Sequence, residues 1–248
     1  MRILVNGLYG HMGREVALLA LDGYRGAELT AGADLTPGTE FAVPCATDIR
    51  EACTDVDCII DFSHHSCTNA LLDFAVSNAI PLVLATTGQT EEERTAIAAA
   101  AEKIPLFFAA NYSLGVALLI ELAKKTAAAM PEAEIEIIEK HHNRKIDAPS
   151  GTALAIARAV QEVRPAATVN CGRSGQGKRT PDEIGISAIR MGNIVGEHEV
   201  MIGTPNQTIT LKHEAHSRAL FAEGALAAAE FLCDRPAGLY DMTSLISF

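Results

Sequence analysis

The sequence predicts an α/β chain in two parts. The N-terminal part is a doubly wound parallel sheet, and the second is an α+β domain built on a mixed or antiparallel sheet. Three observations lead there. Over the first 110 residues, short runs rich in Val, Ile, Leu and Phe alternate with helical patterns, as in parallel strands covered on both faces. After Asn111 the rhythm changes, and strand candidates follow one another with no helix between them, which requires a mixed or antiparallel sheet. At 248 residues, 48% hydrophobic and 21% charged, the chain has room for one large or two small globular domains.

In order, the first part offers strands at 2–6, 28–34, 57–62, 81–85 and 105–109, with helices at 12–21, 68–76 and 91–103. A helix at 116–129 stops before Pro131, and Glu134-Ile135-Glu136-Ile137 alternates with the period of a strand that has one polar face. A second helix at 152–163 leads to a Gly-rich basic loop, 172–178, which reads equally as a mobile flap and as a plain disordered surface loop. Strands at 184–190, 194–202 and 208–213 complete the second domain, whose two helices are expected on one face of its sheet. The Ala-rich helix at 219–232 is expected to return to the first domain. The division is therefore 1–112 and 113–217, with 218–248 folding back.

Twenty basic against 31 acidic residues leave a net charge of −11, which disfavours nucleic acid as a partner. No apolar run is long enough to span a membrane, and the chain opens into a strand without a signal-peptide pattern. The six cysteines form neither a CxxC pair nor a zinc spacing, so they read as reduced, mostly packed thiols of a cytoplasmic protein. No set of histidines and carboxylates has metal-ligand spacing, so no metal is expected.

Gly7-Leu8-Tyr9-Gly10-His11-Met12-Gly13 lies between the first strand and the first helix. Glycines there allow a tight turn and close approach of backbone to a pyrophosphate, which meets the N–H groups of the helix start. The GxxGxxG spacing is looser than GxGxxG and by itself is weak. Asp34, 21 residues past Gly13 at the end of the second strand, is placed to bind an adenosine ribose, and together they predict a Rossmann-type dinucleotide domain. Leu35 follows where a base would hold a 2′-phosphate, so NADH is preferred, with NADPH possible. Two further loops, Ala85-Thr86-Thr87-Gly88 and Ala109-Ala110-Asn111-Tyr112, fall at strand ends where Thr and Asn can reach the nicotinamide side. Taken singly, either could be an ordinary turn.

The densest chemistry is His141-His142-Asn143-Arg144-Lys145-Ile146-Asp147-Ala148-Pro149-Ser150-Gly151-Thr152. Two histidines, an arginine and a lysine fall within five residues of an acidic chain, and Ser150 is placed to cap a helix. The Ser150, Gly151 and Thr152 amides at that helix start suit a carboxylate. A pocket for a small, multiply charged anion beside proton-moving groups is the functional reading. A solvated basic turn before an ordinary helix is the bland one.

This run, from Glu139 through Ala153, closely resembles the E-x-H-H-x-x-K-x-D-A-P-S-G-T-A signature of the 4-hydroxy-tetrahydrodipicolinate (dihydrodipicolinate) reductase family. The Gly motif, Ile60-Asp61-Phe62-Ser63, Thr86-Thr87-Gly88, Ala109 to Ser113, Gly196 to Val200 and Arg218 to Ala225 match in order, so the resemblance spans nearly the whole chain. It implies NAD(P)H-dependent reduction of a cyclic dicarboxylate, 4-hydroxy-tetrahydrodipicolinate, in the diaminopimelate route to lysine, by a homotetramer. It also implies His141 and Lys145 as the catalytic proton-handling pair and His142, Ser150, Gly151 and Thr152 as substrate-binding. Gly7, Leu8, Tyr9, Gly10, His11, Met12, Asp34, Ala85, Thr86, Thr87, Ala109, Ala110, Asn111 and Tyr112 map to the cofactor. One departure is His11, where the family often has Arg or Lys, and it removes a second contact for a 2′-phosphate. Of the other histidines, His198 between Glu197 and Glu199 reads as ion-paired and structural, His213 and His216 with Arg218 as structural, and His64-His65 as a solvated loop. Two competing functions are another dehydrogenase of amino dicarboxylates and a non-catalytic NADH sensor. The full run from His141 to Thr152 argues against the first, and the lack of any output element against the second.

Overall fold

The computed structural model describes residues 1–246. Along the chain run β1 (Arg2–Asn6), α1 (His11–Leu21), β2 (Glu28–Ala33), β3 (Cys45–Ala46), β4 (Cys58–Asp61), α2 (Thr68–Ser77), β5 (Leu82–Leu84), α3 (Glu91–Ala101) and β6 (Pro105–Phe108). Then come α4 (Leu114–Ala129), β7 (Glu134–His141), α5 (Gly151–Val163), β8 (Thr168–Cys171), β9 (Glu183–Arg190), β10 (Gly196–Thr204), β11 (Gln207–Ala215), α6 (Ala219–Leu232) and β12 (Gly238–Tyr240). Two units result: residues 1–114 with the segment from Arg218 on, and residues 115–217.

The first unit is a seven-stranded sheet in the order β12-β6-β5-β4-β1-β2-β3, and every pairing in it is parallel. Ile3, Leu4, Val5, Ile59, Ile60, Leu82, Val83 and Leu84 are fully buried, which is why these strands are continuous apolar runs. Strand order reverses between β1 and β4, so the loops after β1, β2, β4, β5 and β6 gather at one edge. In such sheets that edge is where ligands bind. Helix α6 packs on α1 and on β4, β5 and β6, its stretch Gly224–Ala229 wholly buried. Strands β3, β8 and β12 are absent from the sequence reading: they are as short as β4 and β5 or shorter, but none of their residues is buried, so no apolar run marks them.

The second unit is a mixed five-stranded sheet, β11-β10-β7-β9-β8. Strand β7 runs parallel to β9 and antiparallel to β10. One face, with Ile135 and Ile137 of β7, Ile184 and Ile186 of β9 and Val200 and Ile202 of β10, packs on α4 and α5 through Leu119, Ala123, Ile156 and Val160. The 172–178 loop is exposed, but its borders are tied down: Arg173 pairs with Glu183, and Arg179 with Glu136 of β7. The six cysteines are unpaired, and Cys53, Cys171 and Cys233 are exposed, where the sequence suggested mostly packed thiols. Among the described residues no helix is long and apolar enough to cross a membrane, and no group of three or more His, Cys, Asp or Glu could hold a metal ion.

Candidate functional site

In the first unit the glycine loop is tied to the end of β2. The Gly7 and Leu8 amides both donate to the Ala33 carbonyl, at 2.8 and 3.3 Å. Gly7 has φ +79°, and a Cβ there would lie 2.7 Å from the Phe62 carbonyl oxygen; a side chain at Gly13 would collide with the Gly7 carbonyl. Helix α1 therefore begins directly on the loop. Its N-cap, Gly10, offers no side-chain acceptor and its first turn holds no acid, which leaves the N–H groups of the helix start to an external anion. Asp34 is drawn into the same loop, taking the Tyr9 amide on Oδ2 at 2.8 Å and the Thr36 amide on Oδ1 at 3.0 Å. Leu35 beside it is 81% exposed, and His11 stands exposed at the first helical position. A cradle that a Cβ would fill, an uncapped helix and an acid at the second strand end fit a dinucleotide.

The other loops of that edge converge on Asp61, which the sequence reading gave no role. Its carboxyl accepts from Asn6 Nδ2 at 2.7 Å, Ser63 Oγ at 2.6 Å and Thr86 Oγ1 at 2.6 Å, so one buried group pins the ends of β1, β4 and β5. Burial pushes the Asp61 carboxyl up despite those donors. The Thr86 hydroxyl is thus turned inward, and the Tyr112 hydroxyl donates to the Leu84 and Phe107 carbonyls. The sequence assigns both residues to the cofactor, but their side chains brace the loops. Thr87 and Ala110 are exposed, Ala85 is buried, and Ala109 and Asn111 are half-buried, with Asn111 Oδ1 taking the Ser113 amide at 2.8 Å. His65 is no solvated residue: its Nδ1 lies 3.2 Å from both oxygens of Glu93, which closes the capping box of α3 with Thr90.

In the second unit the period of β7 decides what meets what. Ile135, Ile137, Glu139 and His141 share the helix-covered face, so an apolar row ends in an acid and an imidazole. Register adds two partners on the same face: His198 of β10 opposite Glu139, and Arg190 of β9 opposite His141. Glu139 is fully buried, and His141 and His198 are 9% and 3% exposed. Glu139 Oε2 lies 2.6 Å from His141 Nδ1, and Arg190 grips both carboxylate oxygens at 2.8 and 2.7 Å. The Ser150 amide reaches Glu139 Oε1 at 2.9 Å. Burial pushes the Glu139 carboxyl up, but donors from Arg190, His141 and Ser150 outweigh it and hold it below the usual carboxylate range.

His198 is not ion-paired, contrary to the sequence expectation. Alternation puts Glu197 and Glu199 on the other face, where Glu197 pairs with Lys140 at 2.8 Å and Lys212 at 3.5 Å. His198 instead meets Ser150 Oγ through Nε2 at 3.1 Å and stands edge-on to His141, ring centres 5.2 Å apart. Burial, and then the charge of His141, push it down to about 4. The Ser150 hydroxyl also takes the Ala153 amide at 3.2 Å, so it caps α5 rather than facing outward. Gly151 is exposed and Thr152 half-buried at the helix start. His142 and Lys145 lie in the turn between, the Lys145 amide bonded to the His142 carbonyl at 3.1 Å. Lys145 Nζ pairs with Asp147 at 2.8 Å, which lowers the Asp147 carboxyl. His213 is half-buried beside Gly115, where a Cβ would come within 2.6 Å of its ring, and that burial pushes it down. The structure therefore gathers His141, Ser150 and the start of α5 around Glu139, Arg190 and His198, three residues the sequence reading did not assign to the site. The i, i+2 spacing of Glu139 and His141 on a strand could have found the first; nothing local points to Arg190.

Comparison with known proteins gives a match to each half of the chain. Residues 1–112 match the family described as dihydrodipicolinate reductase, N-terminus, and residues 115–246 the one described as dihydrodipicolinate reductase, C-terminus. The 4-hydroxy-tetrahydrodipicolinate reductase of Caldanaerobacter subterraneus subsp. tengcongensis is 44% identical over 248 residues, 99% of this chain and 98% of the relative. That of Exiguobacterium sibiricum is 41% identical over 245 residues, 99% and 96% of the two chains. A dipicolinate-bound dihydrodipicolinate reductase from Paenisporosarcina sp. TG-14 superposes with a TM-score of 0.82 at 25% identity, covering 97% of each chain. With both halves matched and relatives aligned from end to end, the chain belongs to the dihydrodipicolinate reductase family.

Proposed function

We propose that this protein reduces 4-hydroxy-tetrahydrodipicolinate to tetrahydrodipicolinate with a reduced pyridine nucleotide, the step that its named relatives carry out. The observation that carries the reading is the braced imidazole of His141 beside the amide-lined start of α5, with a lysine in the connecting turn. When bound, the reduced nucleotide supplies the hydride that adds to substrate C4 after water has left. Gly7 through Met12 and Asp34 would hold that cofactor, helped by the main chain at Ala85, Thr86, Thr87, Ala109, Ala110, Asn111 and Tyr112. The Gly151 and Thr152 amides, with His142, bind a substrate carboxylate, and Ser150 contributes as the cap that fixes them. Lys145 balances charge developing on the ring, and His141 exchanges the proton that completes the reduction.

NADH is the preferred cofactor in this reading. Asp34 and exposed Leu35 offer a 2′-phosphate repulsion and no partner; near the helix start stand the His11 imidazole and Arg14, whose guanidinium is tied to the Tyr9 carbonyl at 3.1 Å and to Glu40 at 2.9 Å. The protein works in the cytoplasm as a homotetramer that associates through the uncovered face of the second sheet, where Ile138, the exposed Ile189 and the half-buried Met201 share a surface with Lys140 and Lys212. The direct test supplies substrate in situ from pyruvate and aspartate semialdehyde with a dihydrodipicolinate synthase. Substrate-dependent oxidation faster with NADH than with NADPH is expected. Protein that binds NADH yet oxidises neither cofactor would refute the activity. Light scattering coupled to gel filtration checks the tetramer, and a monomer would refute it.

A further inference from the structure

We infer that Glu139 is the positioning residue of this site: it keeps a proton on Nδ1 of His141, so that Nε2 is the atom that exchanges a proton with substrate. The inference rests on the proposed reaction for its consequence but on geometry for its content. A carboxylate held ionised by a two-pronged arginine can only accept hydrogen bonds, and Oε2 stands 2.6 Å from Nδ1. Nδ1 must then carry the hydrogen, and the neutral ring presents the Nε2 lone pair. On the Nε2 side stands Gly196, the strand neighbour without a side chain; a Cβ there would lie 3.1 Å from Nε2.

The remaining charged and titratable groups do not compete for that bond. Arg190 opposes both oxygens, Lys145 is occupied by Asp147, and His198 turns its Nε2 to Ser150. His213 lies on β11, which β10 separates from β7. The second oxygen, Oε1, takes the Ser150 amide, one residue before the start of α5. One buried carboxylate therefore sets both the tautomer of the proton-exchanging ring and its placement against the helix start proposed to hold substrate. A merely structural ion pair with Arg190 would place no demand on the imidazole.

The test is ¹⁵N NMR of wild-type protein with labelled histidine, titrated to a pH at which the His141 ring is neutral and assigned by the signal missing in His141→Gln. The expected pattern is a protonated Nδ1 and a bare Nε2; the reverse tautomer overturns the inference. Glu139→Gln, if folded, should lose kcat by on the order of 10²-fold or more and mix the two tautomers, with NADH affinity unchanged. A folded Glu139→Gln with full turnover also overturns it. Should Glu139→Gln not fold, the wild-type spectrum decides alone. Because the spectrum needs no turnover, an inactive wild-type enzyme with the expected tautomer would strike at the proposed reaction and leave the inference standing.

Discussion

Two helices begin at the two candidate sites, and they begin in opposite ways. Helix α1 starts on Gly10 with no side-chain cap, tight against Gly7, and nothing of its own occupies the amides. Helix α5 starts on Ser150, whose hydroxyl caps it while its amide is held by Glu139, with His198 and Arg190 behind. The first is a backbone site, shaped by the absence of side chains and open to a large anion. The second is a side-chain site, built so that one imidazole and one helix start keep a fixed relation. A cofactor common to many enzymes can be met by main chain; a particular proton transfer requires oriented groups.

Perturbing one start should spare the other. The largest effect expected short of removing His141 is from Lys145→Ala, which should lower kcat by about 10²–10³-fold and raise KM for substrate while leaving NADH affinity unchanged in calorimetry. An altered NADH affinity would break the separation. Next is the buried imidazole of His198. Its folded value, about 4, lies below the ordinary 6.5, so between these pH values the unfolded chain binds a proton that the folded one does not. Stability is therefore lost as pH falls through that window, by roughly 3 kcal/mol for a gap of this size. Urea unfolding at about pH 7 and about pH 4 should show that loss shrinking in His198→Leu; an equal loss in the variant would refute the assignment.

Gly13→Ala acts on the other start. A Cβ would strike the Gly7 carbonyl, so the loop must shift, at a cost of about 1–3 kcal/mol. NADH binding should weaken by about ten-fold or more while binding of dipicolinate holds; loss of both would mean that the starts are not independent. Smallest is Leu35→Arg, which adds a cation beside Asp34 and should raise kcat/KM for NADPH by about ten-fold at most. No change would mean that position 35 does not face the adenosine ribose.

The same contrast explains what could be read from sequence. The α1 site is local: three glycines, a strand before and a helix after, with Asp34 at the next strand end, all follow from spacing. The α5 site is legible only in its linear run. Ser150 as cap and the His141–Lys145 cluster were visible, but Arg190 arrives from β9 and His198 from β10 through register, which no local pattern carries. His198 shows the hazard most clearly. Its sequence neighbours Glu197 and Glu199 suggest an ion pair, yet strand alternation sends them to the opposite face. Thr86 and Tyr112 teach a related lesson. Their positions at strand ends were right, but buried Asp61 and two carbonyls claim their hydroxyls.

The central claim is that proton chemistry at α5 and cofactor binding at α1 are separate duties of one reductase. Turnover and NADH affinity measured on the same preparation of His141→Gln test it most directly. The account predicts kcat reduced by about 10²–10⁴-fold with the NADH dissociation constant unchanged. Wild-type turnover in that variant, or loss of NADH binding along with turnover, would contradict it.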